Sequence, residues 1–97
     1  MALNQKLTRV IAGRSVVGVD TDVVQSVVRF DDGSRMVVKL AAPPTSPELR
    51  GKVTRVRQAG TVLDLDLDDG STIAFTTPEP MSSVMLRAAN GSLEYAD

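Results

Sequence analysis

The sequence predicts an all-β fold, a small antiparallel barrel or sandwich with at most one or two short helical turns. Three observations carry this. Fourteen Val, two Ile and eight Thr make 24 of the 97 residues β-branched, and such side chains lose rotamer freedom on a helix but pack well on a pleated sheet. Asp32-Gly33-Ser34, Asp69-Gly70-Ser71 and Asn90-Gly91-Ser92 punctuate the apolar runs, and Gly and Asn accept the positive φ of tight hairpin turns. Val62-Leu63-Asp64-Leu65-Asp66-Leu67 alternates apolar and acidic residues, the period of a strand with one buried face.

The first element is expected at Leu7–Ala12. Thr8, Val10 and Ile11 favour a strand there, while Leu3, Leu7, Val10 and Ile11 also stand at helical spacing and Gly13 suits a helix C-terminus; the strand is the preferred reading. Strands follow at Ser15–Val19, Val23–Phe30 and Arg35–Leu40. Val23 to Val28 is more uniformly apolar than the alternating Val62–Leu67 run, as in a strand covered on both faces or central in a sheet. Pro43, Pro44 and Pro47 cannot supply ladder hydrogen bonds, so residues 41–49 read as a stiff surface connection, with one helical turn at Ser46-Pro47-Glu48-Leu49. Lys52–Arg57 and Thr61–Leu67 should form an antiparallel hairpin turning at Ala59-Gly60.

In that hairpin Leu63, Leu65 and Leu67 point to the core, with Ile73, Phe75, Val84 and Leu86 nearby, and Asp64 and Asp66 are expected on a solvated face. Thr72–Thr76 continues the sheet. Ser83–Arg87 should return through a type I′ turn at Asn90-Gly91 to Leu93–Tyr95, with Met85 and Arg87 outward and Leu93 packed on Tyr95. That last strand would be a sheet edge where a partner strand can add.

The chain also echoes itself. Lys6-Leu7-Thr8-Arg9-Val10 resembles Lys52-Val53-Thr54-Arg55-Val56, and the tips Asp31-Asp32-Gly33-Ser34 and Asp68-Asp69-Gly70-Ser71 match. One reading is the restricted chemistry of hairpins; the other is duplication of a β-meander, the first copy holding room for an extra short strand. Either way a single domain over 1–97 is expected, with near-repeat halves 1–40 and 50–97 joined by the Pro-rich connection 41–49. Neither half alone should be stable.

With no Cys and no His, the chain has no disulfides, no Cys/His zinc site and no Ser-His-Asp triad. The run from Asp64 fails as a calcium loop, because its sixth and twelfth positions hold Asp69 and Phe75. Asp64 and Asp66, about 6.6 Å apart along a strand, lack any sign of the raised-pKa acid that glycoside hydrolysis requires. No enzyme activity, cofactor or metal site is therefore expected. The start MALNQKLTRV contains no long apolar run, so the expectation is a cytoplasmic protein without a membrane span.

Charge is divided along the chain: residues 1–57 carry net +5 and residues 58–97 net −6. Arg50, Lys52, Arg55 and Arg57 fall within eight residues without an acid. They are the candidate nucleic-acid-binding residues, a strand able to follow a phosphate backbone; alternatively they neutralise the Asp64–Asp69 segment across the hairpin. Aromatic platforms for single-stranded bases are scarce, with only Phe30, Phe75 and Tyr95 present. Gly51-Lys52-Val53-Thr54-Arg55-Val56, followed by Val62-Leu63-Asp64-Leu65 and Gly70, resembles the KOW-type strand–loop–strand of small SH3-like barrels in ribosomal and transcription proteins. The resemblance covers about a fifth of the chain and implies an SH3-like barrel and RNA contact, whereas the net charge of −1 departs from the basic members. The function expected first is a non-catalytic protein-interaction module. Nucleic-acid binding through Arg50–Arg57, or a small ligand in a barrel mouth, stand as alternatives.

Overall fold

The computed structural model describes residues 2–46, 48, 50–79 and 84–96. Among them lie one helix, α1 (Gln5–Ile11), and the strands β1 (Ala2–Leu3), β2 (Ser15–Thr21), β3 (Gln25–Phe30), β4 (Arg35–Lys39), β5 (Ala42–Thr45), β6 (Gly51–Ala59), β7 (Val62–Leu67), β8 (Thr72–Thr76), β9 (Val84–Arg87) and β10 (Leu93–Ala96). The mostly-β expectation holds. No helix among the described residues is long and apolar enough to cross a membrane.

The strands form one antiparallel sheet in the order β10-β9-β4-β3-β2-β6-β7-β8-β5, with β1 added beside β6. Its end strands, β10 and β5, are not hydrogen-bonded to each other, so the ladder does not close into a barrel among the described residues. Nine strands at about 4.8 Å spacing would span about 38 Å if flat. The longest extent of the molecule is 29 Å, so the sheet curls. One core results: Leu7 and Ile11 of α1 join Val28, Met36, Val56, Leu65, Phe75 and Leu86 of the sheet. Leu63, Leu65, Leu67, Ile73, Phe75, Val84 and Leu86 are all buried, as expected.

Two three-stranded meanders make up the sheet's centre, β2–β3–β4 and β6–β7–β8, and they meet where Ser15 and Val16 pair with Lys52 and Gly51. Each then sends its next strand to the other: β5 pairs with β8, and β9 pairs with β4. The meanders share register, pair by pair. Val16 opposes Phe30, the register shifts, and Gly18 opposes Arg29; Val53 opposes Leu67, the register shifts, and Arg55 opposes Asp66. Even their end bonds match, Leu40 N–H to Val24 O at 2.8 Å and Thr77 N–H to Thr61 O at 2.7 Å. Equivalent positions lie 37 residues apart throughout.

This alignment corrects the one read from the sequence. Lys6–Val10 lies within a helix while Lys52–Val56 lies within a strand, so that echo has no structural counterpart, and β2 itself answers β6 with no extra strand. The helix also overturns the strand preferred at Leu7–Ala12. The Asn4 side chain caps it by accepting the Leu7 N–H at 3.0 Å. Leu7 and Ile11, four residues apart, are fully buried. Thr8 Oγ1 accepts the Val56 N–H at 2.8 Å and donates to Val56 O at 3.3 Å. Seven residues are too few for a stable isolated helix; packing and the otherwise open edge of β6 decide the outcome.

Other expectations are corrected locally. The connection 41–49 is partly strand, since Ala42–Thr45 lines the sheet edge where Pro43 and Pro44 need no ladder bonds. The helical turn at 46–49 lies outside the described residues, as Pro47 and Leu49 do. Strand β3 is internal but covered on one face only: Ser26, Val28 and Phe30 are buried while Val27 is half-buried and Arg29 exposed. The Asn90-Gly91 turn is not type I′, because Asn90 keeps negative φ. Instead three tips share one geometry, with Gly33, Gly70 and Gly91 at φ 87, 87 and 89°. The preceding Asp32, Asp69 and Asn90 each accept the N–H of the following Ser, at 2.9 Å in all three. A register shift in β10 separates Leu93, 55% exposed, from buried Tyr95, so the two do not pack as a pair.

Candidate functional site

The sequence-nominated basic residues separate in the structure. β6 and β7 pair antiparallel, as expected, placing Arg55 opposite Asp66 and Arg57 opposite Asp64. Asp66 Oδ2 accepts from Arg55 Nε and Arg57 Nε, both at 2.7 Å, and Oδ1 accepts from Arg57 Nη2 at 2.8 Å and Thr72 Oγ1 at 2.7 Å. These bonds, Arg57 foremost, hold the Asp66 carboxyl well below the usual carboxylate range. Asp64 lies 3.4 Å from Arg57 Nη2 through Oδ2. Its Oδ1 is buried with no partner among the described residues, and burial raises its pKa.

The aspartates are thus buried, 9% and 7% exposed, against the solvated face expected of them. The long guanidinium side chains of β6 fold over them. A shallow groove of about 410 Å³ bordered by Thr54, Arg55, Arg57, Asp66 and Thr72 lies above this cluster. Arg50 and Lys52 are exposed and do not join it. Lys52 donates its backbone N–H to Asp68 Oδ1 at 3.3 Å.

A different set converges on the outer face of the other meander. Arg29 of β3 stands directly opposite Arg35 of β4, and Arg35 directly opposite Arg87 of β9. Three arginines therefore form one row across three adjacent strands, about 4.5–5.5 Å between neighbouring Cα atoms. Beside it, two residues along each strand, runs an apolar row in which Val27 opposes Val37 and Val37 opposes Met85. Val27, Arg35, Val37 and Arg87 enclose a pocket of about 260 Å³ between the rows.

Only one carboxylate serves this row among the described residues. Asp20 Oδ2 accepts from Arg29 Nε at 2.7 Å, and Arg29 lies over Gly18, where a Cβ would fall 2.0 Å from its Nη2. Arg87 Nη1 donates to Gly91 O at 2.9 Å, and Arg35 has no side-chain hydrogen bond or ion pair among the described residues. Arg14, by contrast, is bound by Glu94 at 2.8 Å and Asp32 at 3.3 Å. The matched positions are charge-inverted: Asp20–Arg29 in one meander occupies the places of Arg57–Asp66 in the other.

Sequence reasoning missed this row because its members stand at 29, 35 and 87, and no local run links them. The available signal was that each occupies an outward strand position next to a buried apolar residue: Val28 and Phe30 beside Arg29, Met36 beside Arg35, and Leu86 beside Arg87. Pairing of β4 with the distant β9 then aligns them. No family model, curated protein or solved structure matches the chain.

Proposed function

We propose that this protein is a non-catalytic interaction module whose working surface is the outer face of β3, β4 and β9, and that it binds an acidic protein segment there. The observation that carries the reading is the directly opposed row Arg29–Arg35–Arg87. Like charges facing each other across strands cost stability, and folding alone gives no reason to keep three in line. Forked guanidinium groups suit bidentate pairing with carboxylates. The adjoining Val27–Val37–Met85 row supplies apolar contact at the same site, the mixture found in protein recognition surfaces.

Nucleic acid fits these features less well. Arg55 and Arg57 are engaged by Asp66 and Asp64. Phe30, Phe75 and Tyr95 are buried, leaving no stacking platform for single-stranded bases. The arginine row also spans only about 10 Å, short for tracking a phosphate backbone.

Fluorescence anisotropy with labelled poly-L-glutamate tests the reading, with a single-stranded oligonucleotide as competitor. Binding should weaken with added salt and disappear in the double variant Arg35→Glu/Arg87→Glu. It should persist in Lys52→Glu. Tighter binding of the oligonucleotide, lost in Lys52→Glu instead, would overturn the proposal.

A further inference from the structure

Resting on that reading, we infer that the partner presents an α-helix laid across the strands, its acidic stripe on the arginine row and a neighbouring apolar stripe on Val27, Val37 and Met85. The spacing argues it. Successive arginines in the row are directly opposed residues of adjacent strands, hence about 4.5–5.5 Å apart. On a helix, side chains three or four positions apart are about 5–6 Å apart, so Glu residues at i, i+4 and i+7 meet Arg29, Arg35 and Arg87 in step.

An extended segment does not keep step. Its same-face side chains recur every ~6.6–6.8 Å. Over the two intervals of the row the mismatch grows to about 2–4 Å, more than a bidentate carboxylate–guanidinium contact tolerates. The apolar row supports the same geometry. It runs parallel to the basic row and about 6.6 Å to one side, and an amphipathic helix carries parallel stripes at such a separation. The pocket of about 260 Å³ between Arg35, Arg87, Val27 and Val37 lies where the stripes adjoin. Its lining pairs two valines with two arginines, so it suits the methylenes and carboxylate of one Glu side chain.

Two synthetic peptides of identical Glu, Leu and Ala composition test the inference. One places Glu at i, i+4 and i+7 with Leu in the adjacent stripe; the other alternates Glu and Leu in strand period. Affinities for the intact protein are measured by isothermal titration calorimetry, with circular dichroism reporting peptide helicity on binding. The helical-period peptide should bind at least tenfold more tightly, gain helicity, and lose binding to Arg35→Glu/Arg87→Glu. Val37→Ser, on the apolar row and in the pocket lining, should weaken it as well. Equal or tighter binding of the alternating peptide overturns the helix inference and leaves the acidic-partner reading standing. Failure of both peptides together with poly-L-glutamate overturns the parent reading. Thermal melts of each variant establish that a lost signal is not lost folding.

Discussion

Asp64 and Asp66 stand two residues apart on the same face of β7, both within reach of Arg57, yet their carboxyls are displaced in opposite directions. The difference is one of hydrogen bonds. Asp66 accepts four from Arg55, Arg57 and Thr72, so its charged form is favoured. Asp64 is as buried, but it faces Arg57 at 3.4 Å and leaves Oδ1 unpartnered among the described residues, so desolvation prevails.

Asp66→Asn should destabilise the fold at neutral pH by roughly 1–3 kcal/mol, the range for losing charge-assisted hydrogen bonds. The linkage has a definite sign. A carboxyl lowered in the folded state contributes stability above its unfolded pKa of about 3.9 and loses it as pH falls below that value. Urea denaturation at pH 7 and pH 3 measures this, and the gap between wild type and variant should narrow at the lower pH. An unchanged gap would show that the Asp66 charge does not set the difference.

Asp64→Asn should behave oppositely. Because burial raises its pKa, the charged form costs stability at neutral pH, and that cost is relieved as pH falls through the folded-state value. Removing the charge should therefore leave stability at pH 7 unchanged or higher, and should flatten the wild-type gain on mild acidification. Paired pH titrations of thermal midpoint read this directly, and a marked loss at pH 7 would show that Arg57 outweighs burial.

Leu65→Ala removes a side chain with no exposure from the middle of β7 and should cost roughly 2–5 kcal/mol. Chemical denaturation with an unchanged m-value is the expected signature. Gly70→Ala, at φ 87° on a tip with open space around it, should cost only about 1 kcal/mol through backbone strain. The two together separate packing from conformation.

Period and turn chemistry made much of this fold legible in advance. The Leu63-Leu65-Leu67 face, the Lys52–Arg57 hairpin and the three Gly-Ser tips all follow from contacts within a few residues. The helix at Gln5–Ile11 did not, because its formation depends on Val56, 48 residues from Thr8. The burial of Asp64 and Asp66 was missed for a related reason: alternation says which residues leave the core face but not what then covers them. The candidate site was least legible, since Arg35 and Arg87 are adjacent only through the exchange of β9 onto the first meander.

Arg35 lies between two like charges, opposite Arg29 on one side and Arg87 on the other, so its replacement should stabilise the fold. Facing like charges on neighbouring strands cost roughly 0.2–1 kcal/mol per pair, and Asp20 offsets part of this through Arg29 alone. Arg35→Gln keeps most of the side-chain length and removes the charge. Its thermal midpoint and urea stability at low ionic strength should exceed those of wild type by a few tenths to about 1 kcal/mol. At 1 M salt the screening length shrinks to about 3 Å and the advantage should vanish. Arg57→Gln supplies the contrast, since that arginine holds Asp66 and its loss should destabilise at both salt concentrations. The same Arg35→Gln protein should bind poly-L-glutamate more weakly than wild type. Greater stability with weaker binding is the signature of a charge retained for recognition. Lower stability at low salt would mean that Arg35 serves the fold, and would remove the warrant for placing the partner on this face.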